Sequence, residues 1–396
     1  MNAALRAALL LNLVQVFTAL SFLSVPVLAP AIAADLGVST TLLGAYSAIL
    51  WLGGLASSLA AGNIIGRLGA LRTSQASLAL CAVGLAAGAQ GSLAALAMLP
   101  LVVGFGCGVE TPSSSHLLAR ITPPSERPFI FSLKQTGVQL GGMLTGLVQP
   151  ALLPWLGWQG ALGAGAVLAL AYAFALEPVR RAYDAPAAAP RVAHLAGLTA
   201  LVRRVFGTRG MRQLAIASFG FHAMQIAVNG FLVSFLVASA GHSLKAAGAL
   251  LAFAQFGGFL GRLGSGALAG RRMPTRPFLA GMGFAMSAAA VLVGLAGPSM
   301  PPTGLAAACV FLGFASSGWN GVFFAEIVRE APVEEVGHIT GGMLITAYAG
   351  LIVGPLAFGA VAEAGGYGIA YAFIALWSCA GAIVLLGRPA TGRATR

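Results

Sequence analysis

Twelve separate runs of about twenty apolar residues occupy most of this chain, and they limit its fold more than any other feature. They lie at roughly residues 8–33, 40–62, 74–91, 94–118, 129–153, 159–177, 213–239, 246–268, 276–297, 303–327, 337–361 and 368–387. A helix of that length spans about 30 Å, the thickness of a bilayer's hydrocarbon core. Lipid offers the backbone no hydrogen bonds, so each run must satisfy its own peptide groups as a helix. No series of alternating segments marks a β-barrel. The expected fold is an all-α membrane protein of twelve transmembrane helices. Composition agrees: only 8% of the residues are charged and 58% are apolar. A soluble domain carries roughly 25% charged residues, so a soluble enzyme is excluded, and the high hydrophobicity excludes disorder.

The longest interruption is residues 178–212, where Arg180, Arg181, Arg191, Arg203, Arg204, Arg209 and Arg212 face a single acid, Asp184. The chain therefore divides into an N-terminal six-helix bundle (1–177), a basic linker (178–212) and a C-terminal six-helix bundle (213–396). Within the linker, Ala185–Pro190 reads as flexible, and Leu195–Phe206 reads as an amphipathic helix on the membrane surface. Placing both termini and the linker in the cytoplasm puts Arg6, Arg67, Arg72, Arg120, Arg127, Arg271, Arg272, Arg276, Arg329, Arg388, Arg393 and Arg396 inside and leaves only Lys245 outside. That asymmetry follows the positive-inside rule. The net charge of +12 is then an orientation code, and no clustered basic face suggests nucleic acid. The first run imitates a signal peptide, with Arg6 and Ala31-Ile32-Ala33, but its length and its Asn12, Gln15 and Thr18 make it the first span. Cys81, Cys107, Cys309 and Cys379 lie in apolar runs and read as small buried hydrophobes.

The two halves echo each other. Gly62-Asn-Ile-Ile-Gly66-Arg67-Leu-Gly69 follows the second span, and Gly266-Ala-Leu-Ala-Gly270-Arg271 follows the eighth. Paired six-span halves are a mark of transporters. On these residues the chain resembles the major facilitator superfamily over nearly its whole length. The resemblance implies two pseudo-symmetric six-helix bundles working by alternating access. That family's loop motif is Gly-x-x-x-Asp-Arg-x-Gly. Here Gly62, Arg67 and Gly69 match it, as do Gly266 and Arg271 in the second copy. Gly66 and Gly270 stand where the family has Asp, so the charge lock that this Asp provides is in question here. Phe131–Gly142 and Gly318–Arg329 are similar to the bacterial branches of cyanate, nitrate/nitrite and monocarboxylate porters. The resemblance therefore implies a multi-pass protein of a bacterial inner membrane, both termini cytoplasmic.

Ionisable residues inside a span are costly, so each is a functional candidate. Only Glu110, Lys134 and Arg262 are expected well within spans. Arg262 lies eight residues before Gly270, about 12 Å up the eighth helix. Its planar fork suits a carboxylate or similar anion, though it can also snorkel to the interface or cap carbonyls. The resemblance favours the first role, since monocarboxylate and nitrate/nitrite porters carry an arginine near this place. Ser58 occupies the matching first-half position, and one arginine suggests a monovalent anion. Glu110 is a candidate proton-coupling residue or a fixed partner of Lys134, and their similar depths allow a buried pair that is structural or a gate. Uncharged polar groups fill in a cavity. His222, Gln225 and Asn229 share one face of the seventh span; Gln15 lies on the first, and Trp319 and Asn320 on the tenth. Any one of them also suits interhelical hydrogen bonding. Glycines at 137, 141, 142 and 146 and at 350 and 354 suit close helix packing.

No ATP-binding loop or His/Cys metal cluster is visible, so no cofactor is expected, and energy would come from an ion gradient, expected to be of protons, or from the substrate's own gradient. The expectation is a monomeric secondary transporter, not an enzyme, moving a small organic or inorganic anion with protons across the lipid bilayer. Arg262 would meet the anion and Glu110 or His222 would carry the proton. The alternative is a proton-coupled drug or metabolite exporter that uses Glu110 against a cation.

Overall fold

In this computed structural model the structure describes residues 3–184, 203, 205–269, 273–295, 300–331 and 336–387. Among the described residues, eleven helical stretches are long and apolar enough to cross a membrane. One of them, Phe129–Ala175, has 47 residues, about 70 Å if straight, more than twice what a bilayer core requires. Gly157 interrupts it at φ 64°, ψ 178°, a conformation glycine alone adopts readily. Gln149 Nε2 then lies 3.5 Å from where a Cβ on Gly165 would stand, although 16 residues (165 − 149) of straight helix would separate them by about 24 Å. The stretch is therefore a hairpin of two spans, and the count is twelve.

Most helices begin before the expected limits, although the second begins later and the third, seventh and twelfth end earlier. The first span is Ala3–Leu36, the second Leu43–Leu68, the third Ala70–Gly88 and the fourth Leu93–Ile121. The seventh is Arg209–Ala238, the eighth Leu244–Leu268, the ninth Thr275–Leu295, the eleventh Val336–Gly365 and the twelfth Tyr367–Leu386. Serines close several starts: the Ser39 and Ser92 hydroxyls accept from the backbone N–H of Thr41 and Ala95, satisfying donors that helix starts leave open. The fifth span comprises Arg127–Gln135 and the helix from Gly137, and the tenth comprises Pro302–Gly318 and Asn320–Glu330; the residues between, Thr136 (φ −66°, ψ −18°) and Trp319 (φ −75°, ψ −23°), keep helical dihedrals.

Packing gathers the chain into two compact units, Met1–Ala193 with Gly230–Gln255, and His194–Asn229 with Phe256–Arg396. This partition follows contact and not chain order. Gly146 and Gly248 bring the fifth and eighth backbones together, and Gln255 lies on Gly142, so residues 230–255 pack with the first unit. Within the first unit, a Cβ on Gly104 or Gly108 would collide with the backbone of Leu50 or Gly54, which puts the second and fourth spans in backbone contact. Within the second unit, Gly257 and Gly261 meet the carbonyls of Val310 and Phe314 in the same way, joining the eighth and tenth. Gly137 and Gly141 lie on Asn12 and Val16, and Gly350 and Gly354 on Phe219 and Ala223. The expected small-residue faces therefore pair the first span with the fifth and the seventh with the eleventh.

Part of the expected linker (185–202 and Arg204), most of the surface helix expected over 195–206, Gly270–Arg272 with the motif residue Arg271, and Arg388, Arg393 and Arg396 lie outside the described residues.

Candidate functional site

In the first unit the two expected charges meet. Lys134 Nζ donates to Glu110 Oε2 at 3.0 Å, and both side chains are 2% exposed. Around Gln135 the Asn12 amide of the first span reaches the fifth, donating to Leu133 O (2.8 Å), Lys134 O (3.2 Å) and Thr136 Oγ1 (3.1 Å). Gly137 lets the first span approach this closely. Gln15 donates to Gln135 Oε1 at 3.0 Å. Asn12 and Gln15, on one face of the first span, thus hold the segment carrying Lys134. Glu110 Oε1 is buried and has no hydrogen-bond partner among the described residues, so only Oε2 holds the ammonium.

In the second unit the seventh, eighth and tenth spans bring the remaining candidates together. His222 Nδ1 lies 2.8 Å from Ser218 O. A carbonyl only accepts, so this contact puts the proton on Nδ1 and leaves Nε2 as the acceptor. Trp319 is fully buried, donates its indole N–H to Ser316 O at 2.8 Å, and meets the His222 ring edge-on at 4.7 Å and 88°. Phe221 and Phe323 flank the same indole. Trp319 therefore holds His222 in place, with its polar atom already used. Gln225 donates to Ser317 Oγ at 3.2 Å, and Asn320 to Ser317 O at 3.2 Å. These bonds gather around Trp319 in the tenth span. Arg262 is half-buried and lies beside Gly261, where the eighth span touches the tenth. Asn229 is half-buried one turn beyond Gln225.

Comparisons agree with this architecture. Residues 11–351 match the family model for the Major Facilitator Superfamily. The chain belongs to the Major Facilitator Superfamily. It is a multi-pass membrane protein and a secondary transporter of small solutes, not an enzyme. A gallate transporter of Pseudomonas putida is 26% identical over 91% of this chain and 86% of its own length. The 4-hydroxybenzoate transporter PcaK of Pseudomonas aeruginosa is 27% identical over 43% of this chain and 38% of its own. A bacterial homolog to the human lysosomal transporter Spinster, solved inward-facing and unoccupied, superposes with a TM-score of 0.71 at 18% identity, covering 98% of this chain and 95% of that one.

The superfamily's loop motif takes an unusual form here. Gly62 lies in the second helix, Arg67 is exposed in its last turn, and Gly69 stands between the second and third helices at φ 88°. Where the family's Asp is missing, Asp184 arrives from beyond the sixth span. Its carboxylate accepts from the N–H of Leu71 (2.7 Å) and of Arg72 (3.1 Å) at the start of the third helix. Such an anion suits the positive end of a helix. A Cβ on Gly69 would stand 2.7 Å from Asp184 Cγ, so this glycine is required twice. Gly266 lies in the eighth helix.

Of the arginines expected on the cytoplasmic side, Arg329 is 63% exposed, but Arg276 is only 6% exposed and Glu326 beside it is fully buried. Arg276 donates to Glu326 Oε1 (2.9 Å), Glu330 Oε1 (2.7 Å), Gln213 Oε1 (2.7 Å) and Gly210 O (3.2 Å). Arg329 and Thr275 also donate to Glu326, and Gln213 reaches Gly387 O at 3.0 Å. Ends of the seventh, ninth, tenth and twelfth spans are tied at one arginine. The sequence holds a signal for it, because Arg276 follows Arg72 by the repeat offset of 204 (276 − 72) and Glu326 and Glu330 share a helix face.

Proposed function

We propose that this protein carries a small organic anion, an aromatic monocarboxylate, across the membrane with protons, by alternating access. The observation that carries the reading is Arg262, a guanidinium half-buried in the eighth span next to Gly261, where that span meets the tenth. An ionisable residue within a span marks a substrate pathway by default, and the guanidinium fork matches a carboxylate. The aromatic class rests on the gallate transporter of P. putida, similar over 91% of this chain, and on PcaK. Gln225, Asn229 and Asn320 supply hydrogen bonds, and Trp319 keeps His222 facing the substrate. Gln15 serves the first span's grip on Lys134.

Glu110 is the proton carrier in this reading. Protonation of its Oε1 neutralises it and releases Lys134, so the pair works as a gate. The cation-exporter alternative needs a buried carboxylate without a resident cation, and Glu110 already holds Lys134 at 3.0 Å. No cofactor takes part, the working form is a monomer, and the membrane is a bacterial inner membrane with both termini in the cytoplasm.

The test is uptake of labelled 4-hydroxybenzoate and gallate by proteoliposomes under an imposed pH gradient. Arg262→Ala abolishes uptake while the thermal unfolding midpoint is retained; unchanged uptake refutes the anion assignment. Glu110→Gln keeps exchange of substrate down its own gradient and removes the response to pH; a retained response moves the proton to His222.

A further inference from the structure

Between the third and sixth spans of the first unit lies a groove that the transport reading leaves unused. Its volume is about 470 Å³. Ala76, Ala79 and Ala173 provide the space with their small side chains, and Leu170 and Phe174 line it while 41% and 70% exposed. The lining is otherwise polar only at Arg72, Gln75 and Glu177.

Those charges are arranged by one carboxylate. Glu177 Oε2 accepts from Arg72 Nη1 at 2.8 Å, and Glu177 Oε1 accepts from Arg180 Nε at 3.0 Å. Arg72 Nη1 also reaches Gln75 Oε1 at 3.1 Å. Among the described residues, the side-chain hydrogen bonds of Arg72 leave through Nη1 and those of Arg180 through Nε. Toward the described residues, Nε and Nη2 of Arg72 and both terminal nitrogens of Arg180 remain available as donors. Arg181 stands exposed beside them, and Asp184 is already committed to the third helix. Two guanidinium groups share one carboxylate at the end of an apolar groove between membrane helices: Arg72 lines the groove, and Arg180 stands one turn beyond Glu177. Bonds from Gln75 and Arg180 also hold the Glu177 carboxyl below its usual range, so the arrangement is charged at neutral pH.

We infer that this groove binds an anionic phospholipid, its phosphate on Arg72 and Arg180 and one acyl chain along Leu170 and Phe174. Basic pockets between membrane helices recognise such headgroups. The inference does not depend on what the protein transports.

The test uses the purified full chain, delipidated, titrated with phosphatidylglycerol or phosphatidylcholine of identical acyl chains and read by native mass spectrometry and thermal shift. Phosphatidylglycerol is expected to bind more tightly. Arg72→Gln and Arg180→Gln should each weaken it about fivefold, the effect of one surface arginine, and leave phosphatidylcholine unchanged. Ala76→Leu, which narrows the groove and keeps the charges, should weaken both lipids. Equal binding of the two lipids overturns the proposal, as does a preference for phosphatidylethanolamine, or a phosphatidylglycerol preference that survives loss of both arginines. Protection by glycerol 3-phosphate alone would assign the site to free phosphate and overturn it too. A dimeric mass that Ala76→Leu abolishes would assign the groove to a second copy of the chain.

Discussion

A single side chain inside a membrane is judged by what remains when its partner is removed. Glu110 and Lys134 show this most sharply, because each is 2% exposed and holds the other at 3.0 Å. Lys134→Met leaves a buried carboxylate without its cation, and loss of one member of such a pair costs about 3–5 kcal/mol. Glu110→Gln combined with Lys134→Met removes both charges and should restore most of that stability. A thermal unfolding series in detergent measures it; equal midpoints for the single and double variants would show that the two do not interact. Gly69 gives a second prediction at this scale. An alanine there meets a positive φ and the Asp184 carboxylate, so Gly69→Ala is expected to destabilise by about 1–2 kcal/mol from the backbone alone. Asp184→Ala should cost about 1 kcal/mol through loss of the helix-start anion, with the same melts as the check. The residue types at these positions were legible in the sequence: Glu110, Lys134 and Arg262 stand out as charges in apolar runs. Asp184 was legible only as the lone acid of its linker, since nothing local says that it reaches a helix more than a hundred positions earlier.

At the scale of elements, hydropathy reads lengths well and local irregularities poorly. Each apolar run is a helix because no other backbone arrangement satisfies its peptide groups in lipid. The irregularities at Thr136 and Trp319 keep helical dihedrals and adjoin Gly137 and Gly318. They are decided by neighbours: Asn12 accommodates the first, and the buried Trp319 indole, bonded to Ser316 O, sits at the second. The glycine contacts were predictable as a pattern, but the partner helix was not. Gly261 fits against the Phe314 carbonyl with no room for a Cβ. Gly261→Val should push the eighth and tenth spans apart, cost about 1–3 kcal/mol as overpacking, and shift Arg262 relative to Trp319. The expected readout is a raised KM for the transported anion together with a lowered unfolding midpoint. A raised midpoint, or an unchanged KM, would contradict this account of the contact.

For the whole molecule, charge sets the orientation. In a cysteine-free background, Lys245→Cys is expected to react with a membrane-impermeant thiol reagent added outside intact cells, and Arg180→Cys only after permeabilisation. The reverse pattern would invert the topology read from the arginines. The sequence by itself determined the fold class, the twelve spans, the internal repeat and the superfamily. Those properties depend on which solvent each stretch prefers and on spacing along one chain, and both are written locally. Only the tertiary structure decided that Lys134 meets Glu110, that the His222 ring meets Trp319 and that Arg276 is buried among Glu326, Glu330 and Gln213. A charge's cost in lipid depends on the partner that packing brings to it, and that partner sits on another helix.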